Sequence, residues 1–361
     1  MKPFEHGGNV YSAGVHNPAV VDFSANINPL GLSDSIKKTI IDNMESLVHY
    51  PDPAGALLKQ AISVHYGIDE NRVILGNGAV ELMYIYFHCI KPDKVLIPVP
   101  SFSEYERAAL AAGCEIRRLY MDKGREFTLD RAALMELLPE VNTVVLGNPN
   151  NPTGELIERK ELEAILDKAL FTHTDVLVDE SFLDFLPHDG NYRVMDLVEQ
   201  YPNLLVLRSM TKFFAIPGLR LGFGAAHKRL MEKLEMGRDP WNVNLLAQMA
   251  GVAALKDMAY QMDARQIIPV CMNYLYDALS GISGLKVYRP SVNFILISIE
   301  GTGLTSSEFT AMLGEYGILV RDCSNYPGMD DYHVRVAVRL RPDNEQLVAR
   351  IKQVLNNKVG R

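Results

Sequence analysis

The strongest constraint on the fold is a regular alternation of short β-rich runs with longer helical ones between residues 71 and 226. Amphipathic stretches such as ERKELEAILDKAL separate several of these runs. Short apolar runs joined by helices favour parallel strands that are buried on both faces. We therefore predict an α/β fold with a mainly parallel sheet flanked by helices, and seven strands: RVIL (72–75), KVLIPV (94–99), EIRRLYM (115–121), TVVLG (143–147), VLVDE (176–180), LLVLRS (204–209) and RLGFGAA (220–226).

The length and the C-terminal pattern indicate more than one domain. A chain of 361 residues exceeds what one compact core usually holds. A helical region from about Trp241 to Leu279 leads into the strand VNFILISIE, a helix near 306–316, the strand HVRVAVR and a closing helix after Pro342. We predict an N-terminal arm with a helix that packs on the small domain (1–45), a large domain (46–245) and a small α+β domain (246–361).

The charge and the cysteine pattern narrow the class of protein. A net charge of −8 argues against a general nucleic-acid binder, although a few arginines can still create a local positive pocket. The N-terminus has no signal-peptide pattern, and no apolar run is long enough to cross a bilayer. The four cysteines form no CxxC pair, which fits a reducing cytoplasm without disulfides or a zinc site: Cys89, Cys114, Cys271 and Cys323. We expect a cytoplasmic protein with no metal and no nucleic-acid or membrane partner.

Four motifs lie where predicted strands end, and in open α/β sheets ligands bind beyond the carboxyl ends of strands. Each motif has a plain structural interpretation when it is taken alone. A glycine turn is usually only a turn, Asn and Pro favour loops, an acidic residue after a strand is often a helix cap, and a lone lysine is usually on the surface. In this order along the chain, the four motifs are LGNGAVELM (75–83), NPNNPTG (148–154), VLVDES (176–181) and RSMTKFFAIPGLRLG (208–222).

Taken together, the motifs contain the groups that pyridoxal phosphate chemistry requires. An amine must bond covalently to the cofactor's aldehyde, which is the role of Lys212. A carboxylate, Asp179, must keep the pyridine nitrogen protonated, and a side-chain amide, Asn151, must lie beside the phenolic oxygen. Hydroxyls, an arginine and helix N-terminal amides must hold the phosphate. The candidates for that role are Gly78, Ala79, Val80, Ser209, Thr211 and Arg220.

These motifs resemble those of the fold-type I aminotransferase superfamily, in the branch near the histidinol-phosphate aminotransferases. The resemblance implies a homodimer whose active sites lie at the subunit interface. It implies that Phe102, in PSFSEY, stacks on the cofactor ring, and that Tyr50, in HYPDP, reaches the cofactor phosphate of the partner subunit. Phe102 could instead be a core aromatic, and Tyr50 could be a plain turn residue.

Further segments resemble a narrower family, the L-threonine-O-3-phosphate decarboxylases of cobalamin biosynthesis. These segments are HGGN (6–9), DFSANINPLG (22–31) and RDCSNYPG (321–328). The resemblance implies decarboxylation of L-threonine O-3-phosphate to (R)-1-amino-2-propanol O-phosphate. Phe182 stands where aminotransferases usually carry a tyrosine. A histidinol-phosphate-type aminotransferase remains the nearer alternative, and a non-catalytic protein of the same fold the farther one.

A decarboxylase must hold its substrate so that the bond to the carboxylate stands perpendicular to the cofactor ring. The two anionic groups of a phosphorylated amino acid therefore need separate anchors. The arginine candidates are Arg335, which matches the superfamily's carboxylate-binding arginine, and Arg321, which could instead form a strand-end salt bridge. His6, Gly7, Asn26 and Asn151 are the further donors, although His6 could be a disordered terminal residue. The sequence leaves open which arginine holds which anion, and whether threonine or serine phosphate is preferred.

Overall fold

The computed structural model describes residues 6–10 and 20–359. A two-residue strand, β1 (Val21–Asp22), comes first in the chain. The centre is a seven-stranded sheet of β2 (Val73–Gly76), β3 (Lys94–Val99), β4 (Glu115–Tyr120), β5 (Thr143–Gly147), β6 (Asp175–Asp179), β7 (Leu204–Ser209) and β8 (Gly222–Ala226). These strands lie in the order β2-β8-β7-β6-β5-β3-β4.

The predicted α/β class with a mainly parallel sheet is confirmed. Strands β3 to β7 pair in parallel, whereas β8 is antiparallel to both β2 and β7. The prediction placed the start of the last strand at Arg220, which is two residues too early. Arg220 has a φ of 58° and a ψ of 72°, which is a left-handed backbone conformation that no strand can contain.

Helices cover both faces of the sheet, as the two-sided burial of its strands requires. In β5, Val144 and Leu146 face one layer, which contains α2, α6 and α9, while Val145 faces the layer that contains α3, α4 and α8. The α-helices of the first 256 residues are α1 (Asp34–Asp42), α2 (Ala56–Tyr66), α3 (Ala79–Ile90), α4 (Ser103–Ala111), α5 (Arg131–Leu137), α6 (Arg159–Phe171), α7 (Met210–Phe213), α8 (Lys228–Gly237) and α9 (Leu245–Lys256).

The C-terminal part is a four-stranded antiparallel sheet with the order β12-β13-β10-β9, covered by helices on one side. The N-terminal segment joins it, because β1 pairs in parallel with β11 and Phe23 lies in the same apolar cluster. The elements are α10 (Met258–Ser280), β9 (Lys286–Val287), β10 (Phe294–Ser298), α11 (Ser306–Gly314), β11 (Ile318–Leu319), β12 (Arg321–Asp322), β13 (His333–Ala337) and α12 (Arg341–Val359).

The helical region predicted from Trp241 to Leu279 is two helices in the structure. Asp257 separates α9 from α10, and its side chain accepts a hydrogen bond from the backbone N–H of Tyr260. Gly251 of α9 packs closely against Leu58 and Leu221, where a side-chain carbon would approach within 2.8 Å of both. The predicted domain boundaries at residues 45 and 245 stay a prediction.

Short 3-10 helices connect several of these elements. The 3-10 helices lie at Met44–Val48, Glu70–Arg72, Lys123–Arg125, Leu138–Glu140, Leu183–Phe185, Asp189–Asn191, Met195–Glu199, Pro217–Leu219 and Glu300–Thr302.

Within the described ranges, no helix is both long enough and apolar enough to span a membrane.

Candidate active site

A cavity of about 400 Å³ lies at the carboxyl ends of the central strands, between the large sheet and the C-terminal sheet. Every residue that the sequence predicted for the site lines this cavity, with the exception of Tyr50. The lining therefore brings together residues from both ends of the chain: His6, Gly7, Asn26, Gly78, Ala79, Val80, Phe102, Asn151, Asp179, Ser209, Thr211, Lys212, Arg220, Arg321 and Arg335.

Asp179 ends β6 and is buried. Its Oδ2 accepts a hydrogen bond of 2.8 Å from the hydroxyl of Tyr105, and its Oδ1 accepts from the backbone N–H and the hydroxyl of Ser181. Burial raises the pKa of Asp179, and these hydrogen bonds together with the charge of Lys212 oppose that rise. The carboxylate is thus held in one orientation and is suited to partner a protonated ring nitrogen.

A buried ion cluster fixes the two strand ends that carry Asp179 and Ser209. The guanidinium of Arg208, which precedes Ser209, is fully buried. It contacts Glu180 at 2.9 Å and Asp184 at 2.7 Å. Since a buried charge that loses its partner is strongly destabilising, the cluster restricts β6 and β7 to a single register.

Lys212 lies in the short helix α7, directly after β7. Burial and, to a smaller extent, the nearby charges of Arg220 and Arg335 lower the pKa of its amine to about 8, against the opposing effect of Asp179. The turn is held by Asn28, whose backbone N–H donates to the Lys212 carbonyl and whose side chain donates to the Phe213 carbonyl. A lysine with a lowered pKa has a larger share of neutral, nucleophilic amine at physiological pH.

The N-terminus of α3 and the Ser209 turn form a cradle of hydrogen-bond donors. Gly78 has a φ of 86°, and a side-chain carbon at this position would lie 2.5 Å from the guanidinium of Arg220, so only glycine fits here. Gly78 offers no side-chain cap, which leaves the first backbone amides of α3 open towards the cavity. The hydroxyls of Ser209 and Thr211 lie 2.7 Å apart beside them. This combination of donors suits a phosphate group.

The NPNNPTG motif divides between structural and cavity-facing residues. Asn148 bonds the backbone of Ile157 and Tyr192, and Asn150 bonds the Pro100 carbonyl, so both shape the loop. Asn151 instead lines the cavity. Its Oδ1 accepts a hydrogen bond from a terminal guanidinium nitrogen of the buried Arg335.

Arg335 and Arg321 lie directly opposite each other on β13 and β12, so their side chains share one face of the C-terminal sheet. Both are buried and both line the cavity. Arg335 also donates to the Ser24 carbonyl at 2.7 Å, and Arg321 donates to Asn325 Oδ1 at 2.7 Å. Among the described residues, the buried Nε of Arg335 has no hydrogen-bond acceptor. An anionic ligand would meet two adjacent guanidinium groups here.

The N-terminal residues His6 and Gly7 contribute to the cavity wall. Gly7 packs so closely on Ser24 that a side-chain carbon would lie 2.0 Å from the Ser24 carbonyl oxygen, and the backbone N–H of Gly8 donates to Ser24 Oγ at 2.7 Å. The ring of His6 lies 5.7 Å from that of Phe102, centroid to centroid. His6 is thus placed at the cavity.

Tyr50 lies outside the cavity lining and is 77% exposed. Its ring packs on Trp241 at a centroid distance of 4.7 Å. Neighbouring residues of the same segment, Met44, Leu47 and Val48, are also exposed. The predicted contact of Tyr50 with a cofactor in another subunit stays a prediction.

Sequence reasoning missed several residues of the cavity wall. Tyr105 and Glu104 follow Phe102 at the start of α4, so the PSFSEY stretch that pointed to Phe102 could have pointed to them as well. Ser24 lies within the DFSANINPLG segment and Tyr326 within RDCSNYPG. Arg107 gave no comparable signal, because one arginine on a helix is usually a surface residue.

The donor set fits pyridoxal phosphate. The amides of α3, the two hydroxyls and Arg220 would hold its phosphate, Asp179 would hold its ring nitrogen, and Lys212 would bond to its aldehyde. The close approach of Arg220 to Gly78 supports this fit, since it brings a cation to the helix N-terminus where an anion binds.

The chain is similar in sequence to a known protein family and to its members. The family model for aminotransferases of class I and II matches residues 18–351. The threonine-phosphate decarboxylase of Salmonella typhimurium is 37% identical over 355 residues, which covers 97% of this chain and 96% of the relative.

Two solved structures share the fold over almost their whole length. The histidinol-phosphate aminotransferase of Clostridium acetobutylicum superposes with a TM-score of 0.87 at 31% identity, covering 93% of this chain and 99% of the other. The L-threonine-O-3-phosphate decarboxylase of Porphyromonas gingivalis gives a TM-score of 0.82 at 26% identity, with coverage of 92% and 99%. Both activities thus occur on this architecture.

Proposed function

The chain belongs to the aminotransferase class I and II family, and we propose that it is a pyridoxal-phosphate-dependent decarboxylase of L-threonine O-3-phosphate. The observation that carries the proposal is the pair Arg321 and Arg335, two buried guanidinium groups that share one face of the cavity. A short amino acid with a carboxylate and a phosphate presents two anions to such a pair. The identity to the Salmonella enzyme over nearly the whole chain supports the same activity.

In this function the chain's residues hold and orient the substrate. When bound, pyridoxal phosphate withdraws electrons from the bonds at the substrate's Cα through its protonated ring. Asp179 keeps the ring nitrogen protonated, and Ser181 and Tyr105 hold its carboxylate in place. Arg321 and Arg335 divide the phosphate and the carboxylate between them, with His6 and Asn26 as further contacts. Held in this way, the carboxylate would be the group whose bond to Cα is weakened, which would select decarboxylation.

Lys212 has two tasks in this scheme. Its amine would bond to the cofactor's aldehyde until the substrate's amine took its place, and the lowered lysine pKa of about 8 favours the neutral form that this bond requires. Once free, Lys212 Nζ would take up the proton that the substrate's ammonium group gives up. It could then act as the general acid that supplies Cα with the proton that replaces the lost carboxylate, so that the product is a primary amine.

A direct assay separates decarboxylation from the alternative, aminotransferase activity. Purified protein with pyridoxal phosphate should release one carbon dioxide for each threonine phosphate consumed, without any need for 2-oxoglutarate. Serine phosphate, supplied in parallel, measures the contribution of the single methyl group. Consumption of 2-oxoglutarate with histidinol phosphate, without carbon dioxide release, would replace the decarboxylase with an aminotransferase.

The proposal extends to a cytoplasmic homodimer that acts in cobalamin biosynthesis. The exposed Tyr50, which packs on Trp241, follows the exposed apolar residues Met44, Leu47 and Val48 in the chain. Exposed apolar side chains grouped in this way are typical of a protein–protein interface. A second subunit bound to this segment would bring Tyr50 to the cofactor phosphate of the neighbouring site.

Subunit mixing tests the shared site. Lys212→Ala and Tyr50→Ala proteins should each be weakly active or inactive alone, because each lacks one contributor to every site. Hybrid dimers would contain one site with both groups intact, so mixing should restore activity. The mixture is compared with each variant incubated alone, and isotopically labelled subunits report exchange. Complete exchange without any recovery would contradict a site shared between subunits.

A further inference from the structure

The cavity contains a buried carboxylate, Glu104, to which the proposed chemistry assigns no role. It lies in the first turn of α4 and is 5% exposed. A negative charge beside a site for an anionic substrate is unfavourable unless other groups offset it, because like charges repel strongly where water is excluded. The groups that contact Glu104 must therefore offset its negative charge.

Three polar groups from different segments converge on this carboxylate. Its Oε1 lies 2.7 Å from Nε2 of His6 and 3.3 Å from a guanidinium nitrogen of Arg107. Its Oε2 accepts a longer hydrogen bond, of 3.4 Å, from the hydroxyl of Tyr84 on α3. Burial raises the pKa of Glu104, but its bonds to His6 and Arg107 outweigh burial and hold the pKa below its ordinary value. Glu104 is thus ionised at neutral pH.

An ionised Glu104 determines how His6 can bind a ligand. The carboxylate accepts a hydrogen bond from Nε2–H, which leaves Nδ1 as the nitrogen that can contact a ligand in the cavity. A neutral imidazole with its proton on Nε2 could only accept at Nδ1. The imidazolium can donate from both nitrogens at once.

The segment that carries His6 is held at a second point. Gly7 and Gly8 contact Ser24, and the Ser24 carbonyl in turn accepts a hydrogen bond from Arg335. Residues 6–8 are therefore held between Ser24, which Arg335 of the C-terminal sheet contacts, and Glu104, which lies on α4 beside the large sheet. Release of either contact would leave the imidazole without a fixed position.

We infer that Glu104 is a positioning residue that holds His6 at the cavity and so gives the site its selectivity for a phosphorylated substrate. This inference rests on the proposed function, because it takes the substrate's phosphate as the partner of Nδ1. Glu104 itself does not contact the substrate. It acts by fixing the place and the orientation of a ring that does.

The test compares Glu104→Gln with a matched control, Glu106→Gln. Glutamine keeps a hydrogen-bond acceptor for His6 but removes the charge. Glu106 lies on the same helix and pairs with Arg118 outside the cavity lining, so its replacement should leave the kinetics unchanged. For the holoenzyme, Glu104→Gln should raise KM for threonine phosphate about tenfold, as expected when a charge-assisted contact is lost. The rate at saturation and the turnover of threonine, which lacks the phosphate, should change by less than about twofold.

A double-mutant cycle with His6→Ala separates positioning from general structural support. If Glu104 acts through His6, the two substitutions together should have no larger effect than His6→Ala alone. An equal loss of threonine and threonine-phosphate turnover in Glu104→Gln would overturn the inference. A further tenfold loss upon adding Glu104→Gln to His6→Ala would overturn it as well.

Equilibrium binding separates this inference from the proposed function. Titration of the wild-type holoenzyme with inorganic phosphate, followed by calorimetry, needs no turnover, and Glu104→Gln should weaken that binding about tenfold. Unchanged phosphate affinity in Glu104→Gln would contradict the positioning role. Failure of the proposed function would appear instead as an absence of carbon dioxide release by the wild-type enzyme.

Discussion

The cavity has two halves that differ in how they are held. In the cofactor half, the groups lie at the ends of adjacent strands and on the turns that follow them, and internal hydrogen bonds or a buried ion cluster hold them. In the substrate half, the groups come from the N-terminal segment and the C-terminal sheet, and the buried Asn26 Oδ1 and Arg335 Nε have no hydrogen-bond partner among the described residues. The first half is preorganised, whereas the second still has polar atoms for a ligand to satisfy.

The two halves of the cavity should therefore control different measurable properties of the protein. A defect in the cofactor half should reduce cofactor affinity and the rate at saturation for every substrate. A defect in the substrate half should reduce the affinity for anionic substrates while the cofactor stays bound. Each of the following predictions tests that separation.

The largest effect is expected for Asp179→Ala, which removes the charge that keeps the ring nitrogen protonated. We expect a fall in kcat of roughly 10²–10⁴-fold, the range typical of a group that controls proton position in catalysis. Cofactor affinity should also fall, as measured by equilibrium dialysis. Tyr105→Phe is the matched control: it removes one hydrogen bond to the same carboxylate and should have a much smaller effect. Wild-type turnover in Asp179→Ala would contradict its assigned role.

A smaller effect is expected for Arg321→Ala in the substrate half. Loss of a charge-assisted bond costs about 1.5–3 kcal/mol, which corresponds to a rise in KM for threonine phosphate of about 10–150-fold. Affinity for pyridoxal phosphate should not change. If Arg321 holds the phosphate, threonine turnover should be much less affected, and Arg335→Ala should then impair both substrates. If Arg321→Ala instead impaired both substrates and Arg335→Ala spared threonine, Arg335 would hold the phosphate and Arg321 the carboxylate. If Arg321→Ala lost its cofactor, the substrate half would not be independent of the cofactor half.

The smallest effect is expected for the pH dependence of the rate at which the apoprotein binds the cofactor covalently. Only the neutral amine of Lys212 attacks the aldehyde, and its pKa is lowered to about 8. The rate of covalent incorporation should therefore fall about tenfold for each pH unit below 8 and level off above it. Stopped-flow absorbance measures this rate. An incorporation rate that keeps rising to about pH 10.5 would show that the Lys212 amine has its ordinary pKa. The cofactor half would then be less preorganised than the structure indicates.

Local patterns were sufficient to predict most of the cofactor half. Strand, turn and helix signals lie close together in the chain, so Asp179 and Lys212 could be placed from the segments that carry them. The boundaries were less accurate where a functional residue disrupts the regular pattern. Arg220 stands in an apolar run that looks like a strand, yet its left-handed backbone turns its guanidinium towards Gly78.

The sequence by itself determined the α/β class, the mainly parallel sheet and the identity of the residues at the strand ends, because periodicity and turn chemistry act over a few neighbouring residues. Only the tertiary structure decided that Arg321 lies opposite Arg335, that His6 meets Glu104 across 98 positions, and that Tyr50 lies away from its own cavity. Such contacts depend on how distant segments pack and on strand register. No local spacing in the sequence encodes the packing of distant segments or the register of strands, since the chain between two partners can be of any length.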